Sequence, residues 1–505
     1  MYAREISTAD LGLPDLVTAE IVPPESVGEL PMSKLTSLLA TATLLAATAA
    51  QAQAVSPDQT AFRELYKELV ETNTTLSAGS CTLAAERMAA RMKAAGFTDS
   101  ELTIFTAPGL PLDGGLVAVL PGKDPKAKAI LLLAHLDVVE AKREDWTRDP
   151  FKLIEENGYF YGRGTSDDKA QAAIWVDTLI RYRKEGYKPR RAIKVALTCG
   201  EEGGSVGAVR LNGAQWLADN RRDLIDAEFG LNEGAGGELD AQGKPVVHNV
   251  LAAEKAHRQF FVETTNPGGH SSRPVPDNAI YSLARALDRV SHYEFPVRVI
   301  DANRIYFTHM AKVVGGETGA AMTAIVANPQ DKAADAVLSR DPDYHAMLRT
   351  TCVATLLEAG HAVNALPQRA KATLSCRIIP GQTPEEVRQL LVAAIDDPKV
   401  TITQPPATGS LAAPMPLPAK VLGPIEKLSE QMWPGVPVIP FMLPGATDAR
   451  RMTAVGIPTY GVSGIFDDRD GGGVHGLNER IRVKSLMDGR EFSYRLIRIY
   501  ADQKD

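Results

Sequence analysis

The sequence predicts an α/β protein, a layered sheet buried on both faces and interrupted by a smaller α+β unit. Three observations carry this prediction. Short, wholly apolar runs alternate with amphipathic stretches across residues 116–231, the pattern of strands covered by helices on both sides. Polar residues stand at the ends of those runs, where α/β folds place their sites. The texture changes near Glu254 and changes back after Pro418.

From Pro57 to Phe97 the apolar residues Phe62, Leu65, Leu69, Leu83, Met88 and Met92 recur at helical spacing, and Gly96 closes the segment as a C-cap would. Leu116–Leu120, Ala129–Leu133 and Ile193–Leu197 read as strands, and Gln171–Lys184 as a helix between two of them. In the insert, Gln259–Glu263, Thr350–Leu356 and Ala370–Ile378 read as strands, and Asn278–Val290 and Pro384–Ile395 as helices. A proline-rich linker, Gln404–Pro418, then leads back to the first body. The expected organisation is a leader over 1–54, a first body over 55–253 and 404–505, and the insert over 254–403.

Composition bounds the function. A chain of 505 residues exceeds one ordinary domain, and 44% hydrophobic with 23% charged residues suits a buried core. A formal net charge of -7 argues against a nucleic-acid partner, which calls for a basic stripe. Met32-Ser33-Lys34, the uncharged run Leu35–Ala50 and Ala52-Gln53-Ala54 read as a cleavable signal peptide with Met32 as the start, hence a periplasmic or secreted protein. No later segment reads as a membrane span. The four cysteines, Cys81, Cys199, Cys352 and Cys376, show no metal-type spacing. Free buried thiols are the expectation for Cys352 and Cys376, with a cross-strand bridge between them as the alternative.

Chemistry is concentrated at strand ends. Ile130-Leu131-Leu132-Leu133-Ala134-His135-Leu136-Asp137 sends an imidazole to a sheet edge, and period-two alternation puts Asp137 on the same side to orient it. Tyr161-Gly162-Arg163-Gly164-Thr165-Ser166-Asp167-Asp168-Lys169 sets two aspartates side by side, which repel unless a cation or hydrogen bonds neutralise them; a helix cap is the plainer role. After the strand at Val195 come Glu201 and Glu202, one able to ligate while the other handles a proton, though a solvated pair is the commoner case. Glu233 comes after a further strand and His475 sits in a glycine-rich loop, each weak alone. Together they form an oxygen and nitrogen donor set without thiolates, which suits zinc in a hydrolytic site.

These five motifs, with Trp146, Asp149-Pro150-Phe151 and Gly162-Arg163-Gly164 between them, resemble the zinc exopeptidase family of aminoacylase, carboxypeptidase S, glutamate carboxypeptidase and carnosinase-type dipeptidases, from about Phe62 to Ile497. The resemblance implies a mixed-sheet catalytic domain with an inserted ferredoxin-like lid and dimerisation domain. It implies two zinc ions, bridged by Asp167, with His135 and Glu233 completing one site and Glu202 and His475 the other. Asp137 then orients His135, and Glu201 is the general base. Gly268-Gly269-His270-Ser271-Ser272 matches a motif whose histidine often reaches a neighbouring subunit's site. Asn364-Ala365-Leu366-Pro367 and Arg377 match the segment that holds the substrate carboxylate, and Gly445-Ala446-Thr447-Asp448-Ala449-Arg450 resembles a further substrate-side loop. Glu140 and Ala170 depart from the family's usual proline and glycine, away from the metal positions. The implied substrate is a small peptide, cleaved by a carboxypeptidase or dipeptidase, or alternatively an N-acyl amino acid. A non-catalytic metal-binding protein is the remaining reading.

Overall fold

A computed structural model describes residues 56–203, 212–405 and 417–504. The leader and most of the Gln404–Pro418 linker lie outside the described residues. Among the described residues, a ten-stranded mixed sheet forms the centre. Its strands run in the order Leu102–Ala107, Leu110–Leu120, Ile193–Thr198, Ile130–His135, Phe229–Asn232, Thr459–Gly461, Pro245–Glu254, Gly237–Leu239 and Phe466–Asp467, and Val438–Leu443 pairs beside Pro245–Glu254. Ile193–Thr198, Ile130–His135, Phe229–Asn232 and Thr459–Gly461 are mutually parallel. Their carboxyl ends therefore open on one edge.

Period-two alternation divides each central strand between two cores. Ile130, Leu132 and Ala134 face helices Pro57–Glu71, Cys81–Ala94, Lys169–Lys184 and Val483–Asp502. Leu131 and Leu133 face helices Gly213–Asn220 and Ala449–Ala454 on the other side. Trp175, fully buried, donates from its indole N–H to the Leu133 carbonyl at 3.1 Å, which locks helix Lys169–Lys184 beneath the strand that ends in His135.

The insert is a βαββαβ unit. Its antiparallel sheet has the order Thr351–Ala359, Arg369–Ile378, Ala256–Thr265, Val400–Thr403, with helices Ala279–Ser291 and Pro384–Ile395 packed over Phe260, Leu374 and Cys376. Thr383 caps the second helix with a reciprocal Glu386 bond, and Pro384 takes the first helical position. Between the first helix and the next strand lies a body that the periodic reading passes over. Helices Asp301–Val314, Gly316–Ala327, Lys332–Leu338 and Pro342–Leu348 pack Phe307, Met310, Met322 and Met347 against Val247, Ile439 and Met442 of the central sheet.

The cysteines correct the expectation of free thiols. Cys352 and Cys376 are disulfide-bonded, as are Cys81 and Cys199. Cys352 stands directly opposite Cys376 in the antiparallel ladder, with Cα atoms 4.1 Å apart, so pairing needs no backbone movement. Cys81, at the start of its helix, meets Cys199 just beyond the strand Ile193–Thr198 with a Cα separation of 6.0 Å, a contact between residues 118 positions apart that spacing does not reveal. Among the described residues, no helix is long and apolar enough to cross a membrane.

Candidate active site

His135 ends its strand fully buried, and its ring is fixed from both sides. Nδ1 lies 2.9 Å from the backbone carbonyl of Asp137, while the Asp137 carboxylate stands farther off, at 3.7 Å. The orienting contact that the His-x-Asp spacing suggests is thus made by the main chain. The carboxylate instead receives the backbone N–H groups of Glu201 and Glu202 at 3.3 and 3.0 Å.

The other ring nitrogen of His135 lies 3.0 Å from Asp167 Oδ1 and 3.8 Å from Glu233 Oε1. Asp167 Oδ2 lies 3.0 Å from His475 Nε2, which in turn is 2.7 Å from Glu202 Oε1. Two donor groups result, His135–Asp167–Glu233 and Asp167–Glu202–His475, each with its ligand atoms within 4.8 Å of one another and joined through Asp167. Asp168 points elsewhere, accepting the His135 N–H at 3.3 Å; it stands at the N-cap of helix Lys169–Lys184 without making a side-chain cap bond.

The loops that bring these groups together converge on Glu479. Its buried carboxylate pairs with Arg163 at 2.7 Å and accepts the N–H groups of Gly164, Ser166 and Asp167. Arg163 also donates to the Gly476 carbonyl, so the Asp167 loop and the His475 loop are tied at one point. Gly164 has φ +81, and a Cβ there would meet Val138 Cγ1 at 2.7 Å, so only glycine fits. Glu479 escapes a sequence reading because nothing local marks it; its partners lie over 300 residues away.

Electrostatics favour a cation here. Burial pushes the Glu233 carboxyl up to about 7, and burial with Glu233 and Asp448 nearby pushes Glu201 well up. Burial would lower the His135 imidazolium, but Glu233 and Asp167 outweigh it and raise its pKa. His475 is raised to about 10 by its hydrogen bonds to Asp167 and Glu202. Carboxylates gathered this closely around two imidazoles are stabilised by nearby positive charge, which divalent ions on these donors would supply. The residues present therefore fit a dinuclear metal centre.

Glu201, Glu202, Glu233, Asp167 and His475 line a cavity of about 710 Å³ that also includes Arg377 from the insert. Arg450 lies within electrostatic reach of Arg377 and Glu254. His270 and Asn364 are elsewhere: both are exposed, His270 on the short ladder that pairs Gly269-His270 with Ala365-Leu366 and Asn364 just before it, and neither lines this cavity. The far wall, with Tyr306, Asp343 and Tyr344, comes from the helical body that periodicity did not reveal.

Comparison with known proteins agrees with this geometry. Residues 131–499 match the model of peptidase family M20/M25/M40. The human N-fatty-acyl-amino acid synthase/hydrolase PM20D1 is 30% identical over 392 residues, covering 75% of each chain. Probable carboxypeptidase S-like 2 of Dictyostelium discoideum is 28% identical over 389 residues, covering 75% of this chain and 72% of the relative. In fold, an M20 family metallo-carboxypeptidase from Sulfolobus solfataricus superposes with a TM-score of 0.63 at 18% identity, over 87% of this chain and 99% of that one. The dipeptidase Dug1p of Saccharomyces cerevisiae superposes with a TM-score of 0.61 at 17% identity, over 88% and 97%. The chain belongs to peptidase family M20/M25/M40 and is a metal-dependent hydrolase of that family.

Proposed function

We propose that this protein is an exported two-zinc hydrolase that cleaves an amide bond next to an amino acid with a free carboxylate, as a carboxypeptidase or dipeptidase does. The observation that carries the reading is Asp167, whose two oxygens each approach the imidazole of a different donor group at 3.0 Å. His135, Asp167 and Glu233 would hold one ion, and Asp167, Glu202 and His475 the other. Bound zinc supplies Lewis acidity toward the scissile carbonyl and makes water a stronger acid near neutral pH. Glu201 takes a proton from the attacking water and returns it to the leaving amine nitrogen. Arg377, with Arg450 beside it, offers a guanidinium fork to the substrate carboxylate.

His270 faces solvent in its own chain, which supports a role on the site of a second subunit, where it would donate to the developing oxyanion. The insert's edge strand Thr351–Ala359, with Val353 and Leu357 exposed, supports a homodimer built there. Two disulfides support an oxidising compartment, in keeping with the leader sequence. A second reading, cleavage of N-acyl amino acids, is favoured by the named activity of the human relative. It needs the same residues around the scissile bond and a different pocket beyond it.

The test is metal analysis of the chain beginning after residue 54, together with hydrolysis of dipeptides and of N-acyl amino acids. The expected result is two zinc ions per chain and turnover that chelation abolishes and zinc restores. Metal-loaded protein that cleaves neither substrate class overturns the proposal, and the faster class decides between the two readings.

A further inference from the structure

The strand Ile193–Thr198 delivers Glu201 only after a glycine, and a glycine aims nothing by itself. Gly200 sits at φ +88, in the left-handed region, and has no Cβ to restrict the rotation of the peptide that follows it. That peptide, Gly200–Glu201, is planar, so its rotation turns the Gly200 carbonyl and the Glu201 N–H together. Through the φ angle of Glu201 the same rotation decides where its side chain leaves the backbone.

Two side chains hold this plane from opposite edges. The Glu201 N–H donates to Asp137 Oδ1 at 3.3 Å, and the Gly200 carbonyl accepts from Asn212 Nδ2 at 3.2 Å. The preceding carbonyl, of Cys199, accepts the Gly213 N–H at 2.6 Å. Consecutive carbonyls ahead of Glu201 are thus held by consecutive residues at the start of helix Gly213–Asn220.

Asn212 is itself firmly aimed. Its Oδ1 caps the helix by accepting the Gln215 N–H at 2.8 Å, which leaves Nδ2 as the donor. The same Nδ2 also donates to the buried Asp448 Oδ1 at 2.6 Å, a charge-assisted bond roughly twice as strong as a neutral one. Arg451 closes the ring, donating from Nε to Asp448 at 3.2 Å and from Nη1 to Gln215 Oε1 at 3.1 Å. A helix cap needs only the oxygen of Asn212. The two donations from its nitrogen go beyond capping, one to the loop of Glu201 and one to the loop that carries Arg450.

We infer that Asn212 is a positioning residue for the general base, fixing the Gly200–Glu201 peptide and through it the Glu201 carboxylate. This role rests on Glu201 being the base, as proposed above. Asn212 lines neither the cavity nor either donor group, so it acts on proton transfer without touching metal or substrate.

Asn212→Ser and Asn212→Asp test this in the zinc-loaded enzyme. Serine and aspartate are both good N-caps, so the helix keeps its start, and both lack the amide donor. Serine adds no charge, which separates loss of the donor from repulsion by Asp448. In each variant kcat should fall about 10–100-fold, with KM and zinc content within about twofold of the wild type. A capping role alone predicts wild-type kcat in both, and wild-type kcat in Asn212→Ser overturns the inference. Amide hydrogen exchange gives a readout that needs no turnover. Across residues 199–202 it should quicken about tenfold or more in Asn212→Ser, with helix Gly213–Asn220 unchanged. Unchanged exchange overturns the inference even where kcat falls, and exchange that quickens equally in the helix makes the role structural and overturns it too. Glu201→Gln keeps the two readings apart. If that variant retains turnover the base assignment falls, while quickened exchange still shows that Asn212 holds the loop.

Discussion

Asp137 Oδ2 accepts the backbone N–H of Glu202 at 3.0 Å, so the residue two positions after His135 also fixes the start of the loop that carries both glutamates. One side chain thereby couples the ends of two parallel strands. Replacing it by asparagine leaves the main-chain contact to His135 in place but exchanges a charged acceptor for a neutral one. Asp137→Asn should lower kcat about 10–100-fold, the usual cost of a lost outer contact, with metal content near normal. Unchanged kcat would show that the Glu201–Glu202 loop holds itself.

Glu201 stands apart from both donor groups yet lines the same cavity. Glu201→Gln keeps the shape and removes the proton acceptor. The expected outcome is full metal occupancy with turnover down about 10²–10⁴-fold. Loss of metal in this variant would instead make Glu201 a ligand.

The Cys81–Cys199 bridge closes a loop of 118 residues and ends one position before Gly200, immediately ahead of the glutamates. The Cys352–Cys376 bridge spans 24. Because the stabilisation grows with the length of chain closed, removing the first pair as a double alanine variant should cost about 2–5 kcal/mol and more than removing the second. Urea unfolding of both variants checks the order. The first should also lower kcat without releasing metal, since Glu201 loses a nearby anchor, and a fully active first variant would refute that coupling.

Part of the candidate site is legible in the sequence because His135, Glu202 and Glu233 each lie at or just past the end of a strand that announces itself, whereas Asp167 and His475 sit in loops. Ile130–Ala134 is an unbroken apolar run, and the residue after it must stand at the sheet edge, so His135 is found without coordinates. Glu201, Glu202 and Glu233 are found by the same logic. The parts that stay hidden are set by long-range packing. Glu479 has its role only because Arg163 and the Asp167 loop fold onto it, and no local pattern encodes that. Helix Gly316–Ala327 is rich in alanine and glycine, with small residues spread around it, so the periodic stripe that marks a surface helix is faint. The disulfide partners are likewise distant in sequence, except where strand register places Cys352 across from Cys376.

His248 offers a test of the core that is independent of the metal. It is fully buried among Trp433, Phe466 and Phe492, with Nδ1 2.7 Å from Ser429 Oγ and Nε2 without a partner among the described residues. Burial pulls its pKa down to about 3, from an ordinary value of 6.5. The unfolded chain therefore takes up a proton that the folded chain refuses, and stability must rise with pH across this window. The contribution is intact above about pH 6.5 and is lost as pH falls toward 3, at about 1.4 kcal/mol per pH unit for this one group. His248→Gln keeps a polar partner for Ser429 but cannot titrate. With metal chelated in both proteins, its unfolding free energy should fall less steeply than the wild type's between pH 6 and 4, by about that slope, even if it starts lower. Parallel slopes would mean that the imidazole is protonated in the folded core, and the aromatic cage around it would have to open to admit the charge.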